Sequence, residues 1–346
     1  MTPARYWHTG GDGRVVCDLC PRHCALRQGQ AGFCFVRRNT GGQLELTARP
    51  SGFAIDPVEK KPLNHVAPGA RVLSFGTPGC SLACRFCQNW ELSTARQYAS
   101  QGVAASPETI AELAIARGCQ GVAYTYNDPT IYAEYAIDIA QAVRARGLLN
   151  IAVTAGYINP VPRADFFEHM DAANVDLKSI RPDFYRRVVN GHLEAVQDTL
   201  RYLAHETNVW VEVTNLVIPG LNDSKAELHE LAAWIATELG PDVPLHLTAF
   251  HPDHRLLDVP ATPPATLRGA RQIAQGEGLR FVYTGNVADA EGSTTWCPHC
   301  GAALIVRDGY RVTANHIDNG PDNGRCAKCG AVIPGRWSRP PSRRSW

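Results

Sequence analysis

Residues 71–87 read Arg71-Val72-Leu73-Ser74-Phe75-Gly76-Thr77-Pro78-Gly79-Cys80-Ser81-Leu82-Ala83-Cys84-Arg85-Phe86-Cys87. The first seven form a short β-rich run stopped by Pro and Gly, and three thiols spaced C-x3-C-x2-C follow at once. Six more runs of this kind follow at Gly121–Tyr126, Asn150–Tyr157, Asn174–Lys178, Val209–Val217, Leu245–Phe250 and Phe281–Val287. Near-continuous apolar character is what strands buried on both faces require. Amphipathic segments separate them. One starts at Ser106-Pro107 and stops near Gly118, and another runs from Ile131 to Arg146 before Gly147. A third pairs Ser224 with Glu227 as a capping box, then carries Leu228, Leu231, Ala232, Ile235 and Leu239 to a stop at Gly240-Pro241. Repeated alternation predicts an α/β fold with a parallel sheet or barrel. No G-x-G-x-x-G follows the first strand, which counts against a dinucleotide-binding domain. A full eightfold barrel needs about 250 residues, more than lie between positions 70 and 290. The expectation is therefore an incomplete, partial TIM-type β/α barrel.

The composition narrows the function. In 346 residues, 34 basic side chains face 33 acidic ones, a net charge of +1 that excludes a polycation coating nucleic acid. No apolar stretch approaches the roughly 18–20 residues that span a bilayer, so no membrane partner is expected. Met1–Trp7 lacks the apolar run of a secretory signal, and the expected location is cytoplasmic. In that reducing setting the 12 cysteines read as metal ligands, because they come in groups.

Cys80, Cys84 and Cys87 can hold one corner of a cubane each and leave a fourth iron open to a small molecule, whereas structural zinc would demand a fourth ligand. Cys297-x2-Cys300 and Cys326-x2-Cys329 form two hooks 25 residues apart, the pattern of a zinc ribbon, with Ala303–Arg307 and Tyr310–Ala314 as its strands. Cys17, Cys20, Cys24 and Cys34 can close a third site, for zinc or for an auxiliary iron–sulfur cluster, since thiolates suit both. Cys119 reads as a small buried residue. The expected division is an N-terminal four-cysteine metal-binding module and linker (1–66), the barrel (67–292), the ribbon (293–337) and an Arg/Pro/Ser-rich tail (338–346).

C-x3-C-x2-C with Phe86 before its last cysteine resembles the signature of the radical S-adenosylmethionine (SAM) superfamily. Asp56–Leu63 (DPVEKKPL), Gln88-Asn89-Trp90-Glu91, Tyr124–Thr130 (YTYNDPT), Asp176–Ser179 (DLKS), Ile218–Asp223 (IPGLND) and Gly285-Asn286-Val287 narrow the likeness. Together they resemble the AmmeMemoRadiSam-system radical SAM enzymes, relatives of the pyruvate formate-lyase activating enzyme, from Cys17 to Trp337. The resemblance implies a 4Fe–4S cluster on Cys80, Cys84 and Cys87, whose open iron chelates the amino and carboxylate groups of SAM. It implies that Asn127 and Asp128 meet the SAM amino group, with Asp where relatives carry Glu. It places Asp176 and Lys178 near the SAM carboxylate and ribose. Ala155 stands where the family has Asn, so no polar contact is carried onto it. His246, His251, Asn215 and Asn286 lie in or after late strands and are left out of the catalytic set.

The implied activity is reductive cleavage of SAM to a 5′-deoxyadenosyl radical for hydrogen abstraction. Its expected electron source is a low-potential flavodoxin or ferredoxin. Kinship with activating enzymes suggests a glycyl radical installed on a protein partner. The terminal metal modules suggest small-molecule or RNA-linked chemistry alongside Memo-like and AMMECR-like proteins. The reading of another class is a non-catalytic, metal-scaffolded module that binds RNA or protein.

Overall fold

The computed structural model describes residues 2–96, 102–318 and 324–338. Its main sheet has eight strands: β1 (Phe53–Pro57), β2 (Arg71–Phe75), β3 (Gly121–Tyr124), β4 (Leu149–Thr154), β5 (Ala172–Asp176), β6 (Trp210–Val217), β7 (Leu245–Ala249) and β8 (Val282–Gly285). Their spatial order is their chain order. β1 and β2 are antiparallel and every later pair is parallel. Parallel neighbours need crossovers, which are right-handed, so an order without reversal puts the helices on one face. These are α1 (Pro107–Ala116), α2 (Ala133–Arg144), α3 (Pro160–Phe167), α4 (Leu193–Glu206), α5 (Lys225–Glu238) and α6 (Pro264–Gly276). Two begin at the predicted caps, where Ser106 accepts from the Thr109 N–H and Ser224 from the Glu227 N–H.

The twofold strand periodicity separates two buried faces. Leu73, Phe75, Val122, Tyr124, Ala152 and Val175 belong to the core that the helices share. The alternate residues Val72, Ala123, Ile151 and Ala172 face the other way, under Val58, Leu63, Val66, Ala67 and Ala70. A segment the sequence reading treated as linker thus covers the second face of the sheet. Further along, that face turns polar: Ser74, Asn174, Glu212, Thr214, His246 and Thr248 are all buried.

Seven strands were expected, and the eighth is β1 at the edge. Its half-exposed Phe-Ala-Ile-Asp-Pro lacks the apolar continuity of the others and ends in Pro, which edge strands tolerate. The expected boundary at 66/67 therefore falls after the sheet has begun. The predicted helix from Ile131 starts as a 3-10 turn, Pro129–Tyr132, before α2.

Residues 2–46 form two small antiparallel sheets, tied to α2 by a buried ion pair between Arg37 and Glu134. At the other end β9 (Thr295–Trp296), β10 (Ala303–Asp308) and β11 (Arg311–Asn315) make an antiparallel sheet. Its core joins Leu304, Ile305, Ile333 and Trp337 to Phe281 and Tyr283 beside and within β8. Residues 339–346, most of the expected tail, lie outside the described residues. Among the described residues no helix is long and apolar enough to cross a membrane.

Candidate active site

The polar end of the second face opens into a cavity of about 1050 Å3. Cys80, Cys84 and Cys87 line it, on the loop that leaves β2, together with Asn127, Asp128, Asp176 and Lys178 from the ends of β3 and β5. The structure thus gathers the central thiols and all four expected SAM-contacting residues around one space.

The thiol loop is held along its length. The Asn127 side chain accepts from the Thr77 N–H at 3.1 Å and donates to Thr77 Oγ1 at 3.1 Å and the Gly79 carbonyl at 2.8 Å. Ser81 Oγ donates to Asp128 at 3.0 Å. The Ala83 and Arg85 N–H groups donate to the carbonyls of Val189 and Val188. Gly79 has φ +102, and a Cβ there would lie 2.4 Å from the Cys34 carbonyl oxygen, so glycine is required. This contact, with Arg22 donating to the Ser81 carbonyl, seats the N-terminal module against the thiol loop.

Asp128 is buried. Besides Ser81 it accepts from Thr154 Oγ1 at 2.7 Å and caps the 3-10 turn through the Thr130 N–H at 3.3 Å. Burial pushes its carboxyl above the usual range, and the hydrogen bonds to Thr154, Thr130 and Ser81 only partly oppose this. Lys178 Nζ lies 2.9 Å from Asp176 and 5.6 Å from the centre of the Phe86 ring. Burial works against its ammonium, but Asp176 and the Cys84 sulfur outweigh it and raise its pKa. Burial pushes the Cys84 thiol up to about 12, with Lys178 pulling the other way. Buried thiols whose free thiolate form is disfavoured are a setting in which a cationic iron core is the natural counter-charge.

Below this end, Glu212 of β6 accepts from the N–H groups of Asn64 and His65 at 3.0 and 2.8 Å, from Trp210 Nε1 at 3.0 Å and faces His246 Nε2 at 2.6 Å. Burial opposes its charge, yet the bonds from His246 and His65 hold its pKa below the usual value. This carboxylate fastens residues 64 and 65 to the sheet. Its signal in the sequence is an acid inside the apolar run Trp210–Val217, and it was not among the expected site residues. His251 pairs with Gln88 at 2.9 Å outside the buried network.

The C-terminal thiols converge: Cys297 and Cys329 sulfurs are 3.6 Å apart, Cys300 and Cys326 are 3.7 Å apart, and all four lie within 4.8 Å. A tetrahedral ion with metal–sulfur bonds of about 2.3 Å requires sulfurs roughly 3.8 Å apart, far beyond a disulfide. The donor set fits a metal ion. Cys17, Cys20, Cys24 and Cys34 are neighbours in the N-terminal module, with Arg37 close to Cys17 and Cys34, but they do not close to the ligand spacing of the C-terminal set; burial pushes the Cys20 thiol up to about 12 and Cys34 to about 11. Cys119 is buried, as expected.

Residues 75–232 match the family model described as the radical SAM superfamily. The chain is 41% identical over 335 residues to an uncharacterized protein of Methanocaldococcus jannaschii, covering 96% of this chain and 99% of that one. It is 24% identical over 174 residues to the pyruvate formate-lyase-activating enzyme of Clostridium pasteurianum, covering 48% of this chain and 69% of that one. Among solved structures it is similar to a domain of pyruvate-formate lyase-activating enzyme from Bacteroides vulgatus, with TM-score 0.43, 18% identity, and coverage of 48% of this chain and 99% of that one. A radical SAM methyltransferase from Sphaerobacter thermophilus gives TM-score 0.47 and 15% identity, over 63% of this chain and 71% of that one. Residues 75–232 are thus a radical SAM domain, and the chain is an iron–sulfur enzyme with relatives among the activating enzymes.

Proposed function

We propose that this enzyme cleaves SAM reductively at a 4Fe–4S cluster on Cys80, Cys84 and Cys87 and uses the resulting radical to take hydrogen from a substrate. The observation that carries the proposal is the convergence of three thiols from one loop on a cavity whose wall also holds Asp128 and the Asp176–Lys178 pair. When bound, the cluster supplies the electron that splits SAM into methionine and a 5′-deoxyadenosyl radical. The chain's own residues bind and orient. Asp128 offers negative charge to the SAM ammonium, beside Asn127. Lys178 offers positive charge to the carboxylate, and Asp176 can accept from the ribose. Thr154 and Ser81 fix Asp128, the Gly79 carbonyl fixes Asn127, and Asp176 and Lys178 hold each other before SAM arrives, so little ordering remains for binding to do.

The sheet order supports an incomplete β/α barrel around this cavity, and the motifs quoted above support placement in the AmmeMemoRadiSam-system branch. The C-terminal module is proposed as a zinc ribbon, on its sulfur spacing, and the N-terminal thiols as a second structural zinc site. Electrons are proposed to come from a flavodoxin- or ferredoxin-type donor.

Anaerobic reconstitution should load about four irons and four sulfides at the central site. Dithionite with SAM should then yield 5′-deoxyadenosine. Cys84→Ala should abolish both; iron loading and cleavage unchanged in that variant would overturn the assignment of the cluster to these thiols, and a loaded parent that forms no 5′-deoxyadenosine would leave the non-catalytic reading in place.

A further inference from the structure

The main sheet ends in two edges, β1 and β8, and the segment 58–66 is bonded to both. At one side Asp56 of β1 holds Lys60 at 2.9 Å and Lys61 at 2.7 Å. At the other, Tyr283 of β8 meets His65 Nε2 at 2.7 Å. The C-terminal module is stitched into the same place. Arg307, on β10, donates to the Asn64 carbonyl at 2.7 Å, to the Ser293 carbonyl at 3.1 Å and to Thr295 Oγ1 at 3.0 Å. Its Nε lies 3.8 Å from Glu59, and both side chains are almost completely buried. Thr295 bonds Tyr283 at 2.9 Å, and His65 Nδ1 meets the Pro334 carbonyl at 2.6 Å. The turn that follows Arg307 lines the cavity with Asp308, Gly309 and Tyr310. Its outer side flanks Pro57, the last residue of β1.

We propose that the 307–310 turn is the wall that closes the reaction chamber between the two sheet edges, held shut by metal at Cys297, Cys300, Cys326 and Cys329. The chamber so closed takes a metabolite-sized substrate beside SAM, and no segment of a folded protein passes between the edges. Three observations lead there. A strand entering between β1 and β8 would have to displace Arg307 from Asn64 and Glu59, leaving a buried charge unpaired. The cavity, about 1050 Å3, lies just above the roughly 300–1,000 Å3 range of small-molecule sites, room for a cofactor and a second small molecule. The metal site lies at the base of the hairpin whose turn forms the wall, because Cys297 follows β9 and Cys300 precedes β10. The wall follows from geometry, while the substrate's place beside SAM rests on the radical SAM reading.

Hydrogen exchange on the full, metal-loaded chain tests the wall. Cys329→Ser, at the exposed thiol, removes the metal, and Arg307→Met keeps the metal while cutting the link to residue 64. Both should speed amide exchange in residues 58–66 by about tenfold or more and leave α2 unchanged. Both should also speed extraction of the central iron by bathophenanthroline disulfonate. Faster exchange confined to residues 297–330 in Cys329→Ser, or none in a folded Arg307→Met, overturns the wall. A chain with no iron at Cys80, Cys84 and Cys87 overturns the radical SAM reading and leaves the exchange result standing. For the substrate, 5′-deoxyadenosine formation should rise with the dialysable fraction of a cell extract. A rise with the retained protein fraction alone overturns the size assignment.

Discussion

Asp128→Asn separates what this residue does for the fold from what it does for the cofactor. The carboxylate accepts from Ser81 Oγ, Thr154 Oγ1 and the Thr130 N–H, and burial raises its pKa above the ordinary 3.8. A carboxyl with a raised folded pKa contributes stability below its unfolded pKa and loses it as pH rises through the folded value. At pH 7 the charge is thus a cost to the fold, which asparagine removes. The hydrogen bonds need not be lost. Asn Oδ1 can keep Thr154 and the Thr130 N–H, while its amide N–H donates to Ser81, whose hydroxyl turns to accept. Stability should therefore stay within about 1 kcal/mol of the parent or exceed it. Cofactor binding should fare differently. A hydrogen bond to a charged group contributes about 1.5–3 kcal/mol, so loss of the charge facing the SAM ammonium should weaken binding about 10- to 150-fold. Titration calorimetry with SAM on the reconstituted protein and urea unfolding on the same preparation read the two effects. SAM affinity within about twofold of the parent would refute the assigned contact. A stability loss above about 2 kcal/mol would refute the exchange of hydroxyl roles.

Two other variants probe the scaffold and the outer metals. Glu212→Gln must turn an amide N–H toward donors that the carboxylate now accepts, and should cost about 2–4 kcal/mol in urea unfolding at pH 7. Because the folded pKa of Glu212 is depressed, its stabilisation is present above about pH 4.5 and lost as pH falls below, so the variant should show a flatter acid limb; an unchanged limb would count against this. In a Cys80/Cys84/Cys87→Ala variant, metal analysis should find about two zinc ions, one for each outer set of four cysteines, and residual iron with sulfide would assign the N-terminal site to an auxiliary cluster.

Which features were legible in the sequence follows from how local their physics is. The parallel strands could be read because burial on both faces forces apolar continuity, and all seven expected runs overlap an observed strand. The thiols could be read because a metal's ligands must sit a few residues apart when they share a loop. The overshoot of the predicted strand Gly121–Tyr126 past the observed end at Tyr124 falls where Thr125–Asp128 leave the sheet to line the cavity. What stayed hidden depends on distant partners. Arg307 looks like any ribbon arginine until Asn64, 243 residues earlier, supplies its carbonyl. Asp56 and Lys61 were noticed as a motif, but nothing local says that their pairing turns residues 58–66 back across the sheet. Glu212 is the intermediate case. A lone acid in an apolar strand must be paid for by hydrogen bonds, so its presence announces a buried network without naming Asn64, His65 or His246 as its members. The same logic explains why the terminal modules read as appendages. Their metal ligands are local, and the contacts that make one of them a wall of the chamber are not.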